Sequence, residues 1–129
     1  MKIEIIDGLP FVELALTFRK QQLKIERALL DSGSVGTVLK LDLVAEIGLT
    51  PEPDDPVRRI VGVGGSEFTF VKMVDVLEVG DLRAHQVQVE IGNMDYGVGL
   101  DAIVGTNFLV STGAVIDFNQ LRMVDGRLE

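Results

Sequence analysis

The sequence predicts an all-β domain, a barrel or sandwich with one or two short helices. Three observations carry the prediction. Apolar residues alternate with polar or small ones over many short runs, as in Phe11 to Phe18 (FVELALTF) and Gln86 to Ile91. Turn-forming residues punctuate those runs at short spacing. Helical spacing is convincing only in Lys40 to Ile47 (KLDLVAEI), where Leu41, Val44 and Ala45 share a face and Gly48 is placed to stop the helix.

In chain order, Met1 to Ile6 is a first strand, and Asp7-Gly8-Leu9-Pro10 is a turn into the strand Phe11 to Phe18. Arg19 to Gln22 is a polar hairpin tip, and the strand from Leu23 to Leu30 ends wholly apolar at Ala28-Leu29-Leu30. After the helix, Thr50 to Pro56 (TPEPDDP) holds three of the four prolines and reads as a surface loop inside the domain. Two strand-like runs then flank Gly62, Gly64 and Gly65 in RRIVGVGGSEFTFVKMVDVLEV. Asn93 to Leu100 is a loop. Asp101 to Val110 begins with Ala102-Ile103-Val104, passes through Gly105-Thr106-Asn107 and becomes amphipathic at Phe108-Leu109-Val110. Two last strands, Ala114 to Phe118 and Leu121 to Val124, are joined at Asn119-Gln120.

At 129 residues the chain (1–129) reads as a single domain, and 47% apolar residues argue against disorder. A net charge of −8 with scattered basic residues argues against a nucleic-acid partner, which would require a basic patch. No apolar stretch approaches the roughly 20 residues that span a bilayer, so no membrane partner is expected. The acids Glu4, Asp7 and Glu13 do not fit a secretory signal, which leaves a cytoplasmic protein as the default. The chain has no cysteine and one histidine, His85, which reads as a surface residue; neither a metal nor a cofactor is expected. Asp117, Asp125 and Glu129 read as solvated charges.

Two short segments are candidates for chemistry. In ALLDSGSVGTVL (28–39), Asp31-Ser32-Gly33 is either a common turn, with Asp31 bonding a backbone amide two residues on, or a catalytic carboxylate. Its approach through Ala28-Leu29-Leu30 predicts a partly desolvated acid, which suits general acid–base work. In Gly62-Val63-Gly64-Gly65, no helix comes next to receive a phosphate, because Ser66 to Val71 alternates as a strand. A glycine hairpin tip fits better, either as plain structure or as a lid. ALLDSGS and DAIVGTN also echo each other, both running from apolar residues into a glycine and hydroxyl turn.

Taken in order, ALLDSGSVGTVL, RRIVGVGGSEF and DAIVGTNFLVSTGAVIDF resemble the retropepsin-like aspartic proteases, the single-lobe family that includes the retroviral enzymes. The agreement runs from about Leu9 to Phe118. The resemblance implies an acid protease barrel with a glycine-rich flap and an aspartic endopeptidase acting on polypeptides as a homodimer. Asp31 would be the catalytic aspartate, one from each chain. Ser32 would bond across the dimer, and Gly33 would allow close approach. Ser34 and Val35 would line the substrate. Val61, Gly62, Val63, Gly64 and Gly65 would form the flap, and Ile103, Val104 and Gly105 the supporting loop. The chain departs from the retroviral pattern at Val35 and Thr106, where those relatives carry an acid and an arginine that pair. The extra strand at Leu121 to Val124 could replace or alter the terminal strands that join retroviral subunits. The alternative is a protease-like fold used as a peptide-binding or dimerisation module without turnover.

Overall fold

The protein, described here from a computed structural model over residues 1–62, 65–95 and 99–128, is built mostly of strands. β1 (Glu4–Ile6), β2 (Leu9–Phe18) and β3 (Gln21–Leu30) form a meander. β4 (Val38–Lys40) leads into the short helix α1 (Leu41–Val44), which is continued by a 3-10 turn, Ala45–Ile47. β5 (Val57–Gly62), β6 (Gly65–Val79) and β7 (Leu82–Gly92) come next. β8 (Ala102–Val104), α2 (Thr106–Thr112), β9 (Ala114–Asp117) and β10 (Arg122–Asp125) complete the fold.

Six strands close a ring in the order β2, β3, β8, β4, β7, β6 and back to β2. Closure depends on the 15-residue length of β6. Its first half pairs with β5, from Val57↔Phe70 to Gly62↔Gly65, and its second half reaches β2 at Leu16↔Leu77. Closing the sheet in this way leaves few open edges. Alternation supplies the core: Leu14 and Leu16 on β2, Ile25 on β3, Leu77 on β6 and Ile91 on β7 are almost wholly excluded from water. Each contributes about 1.5–3 kcal/mol by burial. Phe108 of α2 is fully buried in the same core and anchors the helix.

The all-β expectation holds, and so do the helix at Leu41 and its stop, where Gly48 adopts φ +78°. His85 is exposed on β7, as expected. Four details differ from the sequence reading. The first turn is only Asp7-Gly8, both at positive φ (+52° and +80°), and Leu9-Pro10 already belong to β2. Pro10 stands opposite Ile5 at a position where a two-residue hairpin makes no ladder bond, so its missing N–H costs nothing towards β1. The second hairpin is equally tight, with Arg19 (φ +48°) and Lys20 (φ +70°) as its tip. β4 is a strand too short for alternation to reveal. Asp125 is not solvated: Arg127 donates to its carboxylate from backbone N–H, Nε and Nη2, which holds the acid below its ordinary value.

The chain ends are tied together within one subunit. Ile3 N–H donates to Leu121 O (2.8 Å), Met123 N–H donates to Met1 O (2.8 Å), and β10 pairs along its other edge with β9. Among the described residues, no helix is long and apolar enough to cross a membrane.

The loop Thr50 to Pro56, which feeds β5, is fastened to β6 by an ion cluster. Lys72 Nζ donates to Asp55 Oδ2 (2.9 Å) and Glu52 Oε1 (3.0 Å), and only 8% of the Lys72 side chain is exposed. The Lys72 hydrogen bond holds the Asp55 carboxyl below its ordinary 3.8 against the opposing effect of burial. Burial pulls Lys72 down, but its bonds to Asp55 and Glu52 outweigh that and leave it above its ordinary 10.5. The Asp55 contribution to stability is therefore complete above its ordinary value and lost as pH falls through the lower folded value. The Lys72 contribution is complete below 10.5 and lost as pH rises beyond it. Lys72→Met is expected to lower the urea midpoint at neutral pH. The gap between variant and wild type should narrow as pH falls below 3.8. A gap independent of pH would show that the ion cluster is not what fastens the loop.

Candidate active site

The echo between ALLDSGS and DAIVGTN corresponds to two paired strands. β3 and β8 run parallel in register, Ala28↔Ala102, Leu29↔Ile103 and Leu30↔Val104, and Asp31 N–H donates to Val104 O (3.1 Å). Asp31 and Gly105 therefore sit at equivalent ends of adjacent strands. β4 lies on the far side of β8, at Val38↔Ile103 and Leu39↔Ala102. The chain from Asp31 to Thr37 must cross over the end of β8 to reach it.

That crossing is held by specific contacts. Ser34 O and Val35 O accept the N–H groups of Thr106 (2.7 Å) and Asn107 (3.1 Å), so the loop satisfies two amides that the start of α2 leaves without helical partners. Gly105 lies against the loop so closely that a Cβ there would be 2.0 Å from Gly36 O. Ser34 Oγ donates to the same Gly36 carbonyl (2.8 Å), and Thr106 Oγ1 donates to Ser32 O (3.0 Å). Thr37 is fully buried; its hydroxyl donates to Asn107 Oδ1 (2.8 Å) and accepts from Gly105 N–H (3.2 Å). Asn107 Nδ2 in turn donates to Gln88 O (3.0 Å).

Asp31 is half-buried at the mouth of this crossing. Gly33 N–H donates to Asp31 Oδ1 (2.9 Å), and Ser34 N–H donates to Asp31 O (3.1 Å). The turn bond fixes the orientation of the Asp31 carboxylate through Oδ1 and does not engage Oδ2. A Cβ on Gly33 would stand 3.2 Å from Oδ1 and crowd the carboxylate. Ser32 and Gly33 are exposed, and among the described residues the Ser32 hydroxyl has no partner within the chain. Val35 is 76% exposed.

The β5–β6 hairpin brings Val61 opposite Ser66 and Gly62 opposite Gly65; Val63 and Gly64 lie outside the described residues. Ile60, at the base of that tip, belongs to a second apolar cluster with Leu29, Ile103, Phe11, Val38, Met94 and Leu100. The hairpin is therefore packed through Ile60 against the same buried cluster that receives Leu29 and Ile103, on the strands that lead to Asp31 and Gly105. Val104 and Gly105 are buried beneath the loop, and Ile103 is half-buried. The sequence reading misses Gly36 and Thr37 as supports. Thr37 precedes an apolar pair and carries no sign that its hydroxyl is enclosed.

A closed all-β ring with an aspartate turn crossing a paired strand, and a glycine hairpin packed beside it, defines the retropepsin-like class. The sequence model described as aspartyl protease matches residues 16–108, which include the Asp31 turn, the hairpin and the Gly105 turn. The chain belongs to this aspartyl protease family of the retropepsin-like clan. No curated protein gives a significant match to the chain.

Thr37→Val preserves shape but strips a hydroxyl from a buried partner, Gly105 N–H, and a half-buried one, Asn107 Oδ1, so the unfolding free energy should fall by about 1–3 kcal/mol in a urea titration. Thr37→Ser should recover most of the loss. If Thr37→Val were neutral, the hydroxyl would have no part in holding the crossing.

Proposed function

We propose that the protein is an aspartic endopeptidase, with residues 1–129 as one domain, in which Asp31 from each of two identical chains forms a catalytic pair. The observation that carries this reading is the half-buried Asp31, oriented by Gly33 N–H at the end of paired strands in a chain of the aspartyl protease family. One chain offers one such carboxylate, so the pair requires a two-fold axis between copies. Two carboxylates about 3 Å apart cannot both ionise and share a proton. The ionised member takes a proton from water as its oxygen attacks the peptide carbonyl. The protonated member gives its proton to the carbonyl oxygen. Collapse of the resulting diol, with protonation of the amide nitrogen, breaks the C–N bond.

Other residues fit supporting roles. The Ser32 hydroxyl, unpartnered among the described residues, is available to bond across the axis. Gly33, Ser34 and Val35 border the cleft, and the hairpin around Val61, Gly62, Val63, Gly64 and Gly65 acts as the flap that excludes water. Ile103, Val104 and Gly105 support the Asp31 turn from beneath.

One observation favours a second reading, a peptide-binding or dimerisation module without turnover. Val35 is exposed where retroviral relatives place an acid, and the Thr106 hydroxyl is committed to Ser32 O rather than to a substrate-gripping pair. Digestion of a broad peptide library from about pH 4 to about pH 7, together with sedimentation, separates the two readings. Asp31→Asn is expected to abolish cleavage, by about a thousandfold or more, while fold and dimer persist. Full activity in that variant would remove Asp31 from the chemistry, and cleavage by a stable monomer would overturn the pair across two chains.

A further inference from the structure

Glu90 is the one charged residue among the described residues that is almost wholly buried, at 3% exposure, and the proposed chemistry does not use it. Alternation on β7 sends Val87, Val89 and Ile91 into the core and puts Glu90 on the opposite face. Burying a carboxylate is costly unless hydrogen bonds compensate, and an apolar side chain would fill the same space without that cost. Its contacts show what it joins. Thr69 Oγ1 of β6 donates to Glu90 Oε1 at 2.9 Å, and Arg58 Nη1 of β5 stands 3.5 Å from Oε2. Glu90 N–H donates to Thr37 O (2.9 Å). Its Oε2 also lies 2.2 Å from where a Cβ on Gly36 would be, so it rests directly against the crossing loop.

One side chain thus touches both strands of the β5–β6 hairpin and the loop that carries Asp31. We propose that Glu90 is a positioning residue that sets the hairpin base, and so the flap's seat over the cleft, relative to the Asp31 turn. This rests on the reading of the hairpin as a flap. Gly36 is part of the device, because any side chain there would displace the carboxylate. Arg58 supplies the counter-charge from the first flap strand, and Thr69 supplies a donor from the second. Both flap strands are therefore referenced to the same pair of oxygens.

The first test needs no catalysis. E90Q keeps the volume but removes the charge that Arg58 faces. Amide hydrogen exchange on the full chain should rise about threefold to tenfold in Val57–Ile60 and Ser66–Phe70, while β2 and β3 keep wild-type protection. T69V approaches the same contact from β6, should give the same local rise, and serves if E90Q does not fold. Unchanged exchange in the hairpin, or an equal rise in every strand, overturns the proposal. The second test is kinetic. E90Q and R58Q should each raise KM several-fold with kcat within about twofold, and the double variant should do no more than either alone. A fall in kcat at constant KM, or additive effects, overturns it. If the wild-type chain cleaves no peptide, the peptidase reading fails by itself, and the exchange pattern alone decides the role of Glu90.

Discussion

The parallel, in-register pairing of β3 with β8 is the constraint on which the rest of the site depends. With β4 hydrogen-bonded to the other edge of β8, residues Asp31 to Thr37 have to pass over its end. A chain crossing the end of a strand at close range presents backbone carbonyls to the next element. Here that element is α2, whose first amides need acceptors. The Ser34 and Val35 carbonyls and the α2 amides satisfy each other. The only residue that permits so close an approach at the strand end is one without a side chain, and it is Gly105. Helix capping and the orientation of Asp31 are consequences of the one crossing that this register imposes.

Much of this is legible in the sequence because it rests on short-range chemistry. Alternation marks the strands, Gly48 marks the helix stop, and the two apolar runs ending in glycine and hydroxyl residues mark the paired strand ends. The features that stay hidden depend on tertiary neighbours. In QVQVEIG, Glu90 occupies the polar phase of an alternating strand and reads as solvent-facing. The β5–β6 hairpin and the crossing loop at Gly36 together cover that face and enclose it. Thr37 and Gly36 are invisible for the same reason, since their partners Asn107 and Glu90 are 70 and 54 residues away in sequence. The extent of the Asp7-Gly8 turn is hidden by Pro10, since proline usually interrupts a strand. At a position without a ladder bond it can stand inside one.

Two departures from the retroviral pattern point in the same direction. Val35 and Thr106 carry no opposite charges, and the chain ends are joined to each other inside one subunit through β10. Met1 and Ile3 have already committed backbone groups to Met123 and Leu121, so they cannot offer them to a second copy without first breaking an intramolecular sheet. In the proposed dimer, the ion pair is therefore absent as a source of affinity, and the Met1 and Ile3 backbone groups are already committed within the subunit. Of the groups that the Asp31 turn itself presents, the Ser32 hydroxyl is unpartnered among the described residues and the Val35 side chain is exposed. Covering a valine contributes about 1–2 kcal/mol per copy, and a cross-axis hydroxyl bond about 1 kcal/mol. By themselves, these two groups fall short of the cost of associating two chains. A bound peptide lying across both halves would add contacts to each copy at once, which couples assembly of the pair to occupation of the cleft. Under the proposed function, the retained aspartate and the lost grip at Val35 would then be compatible, because the polypeptide itself would contribute to holding the two carboxylates together.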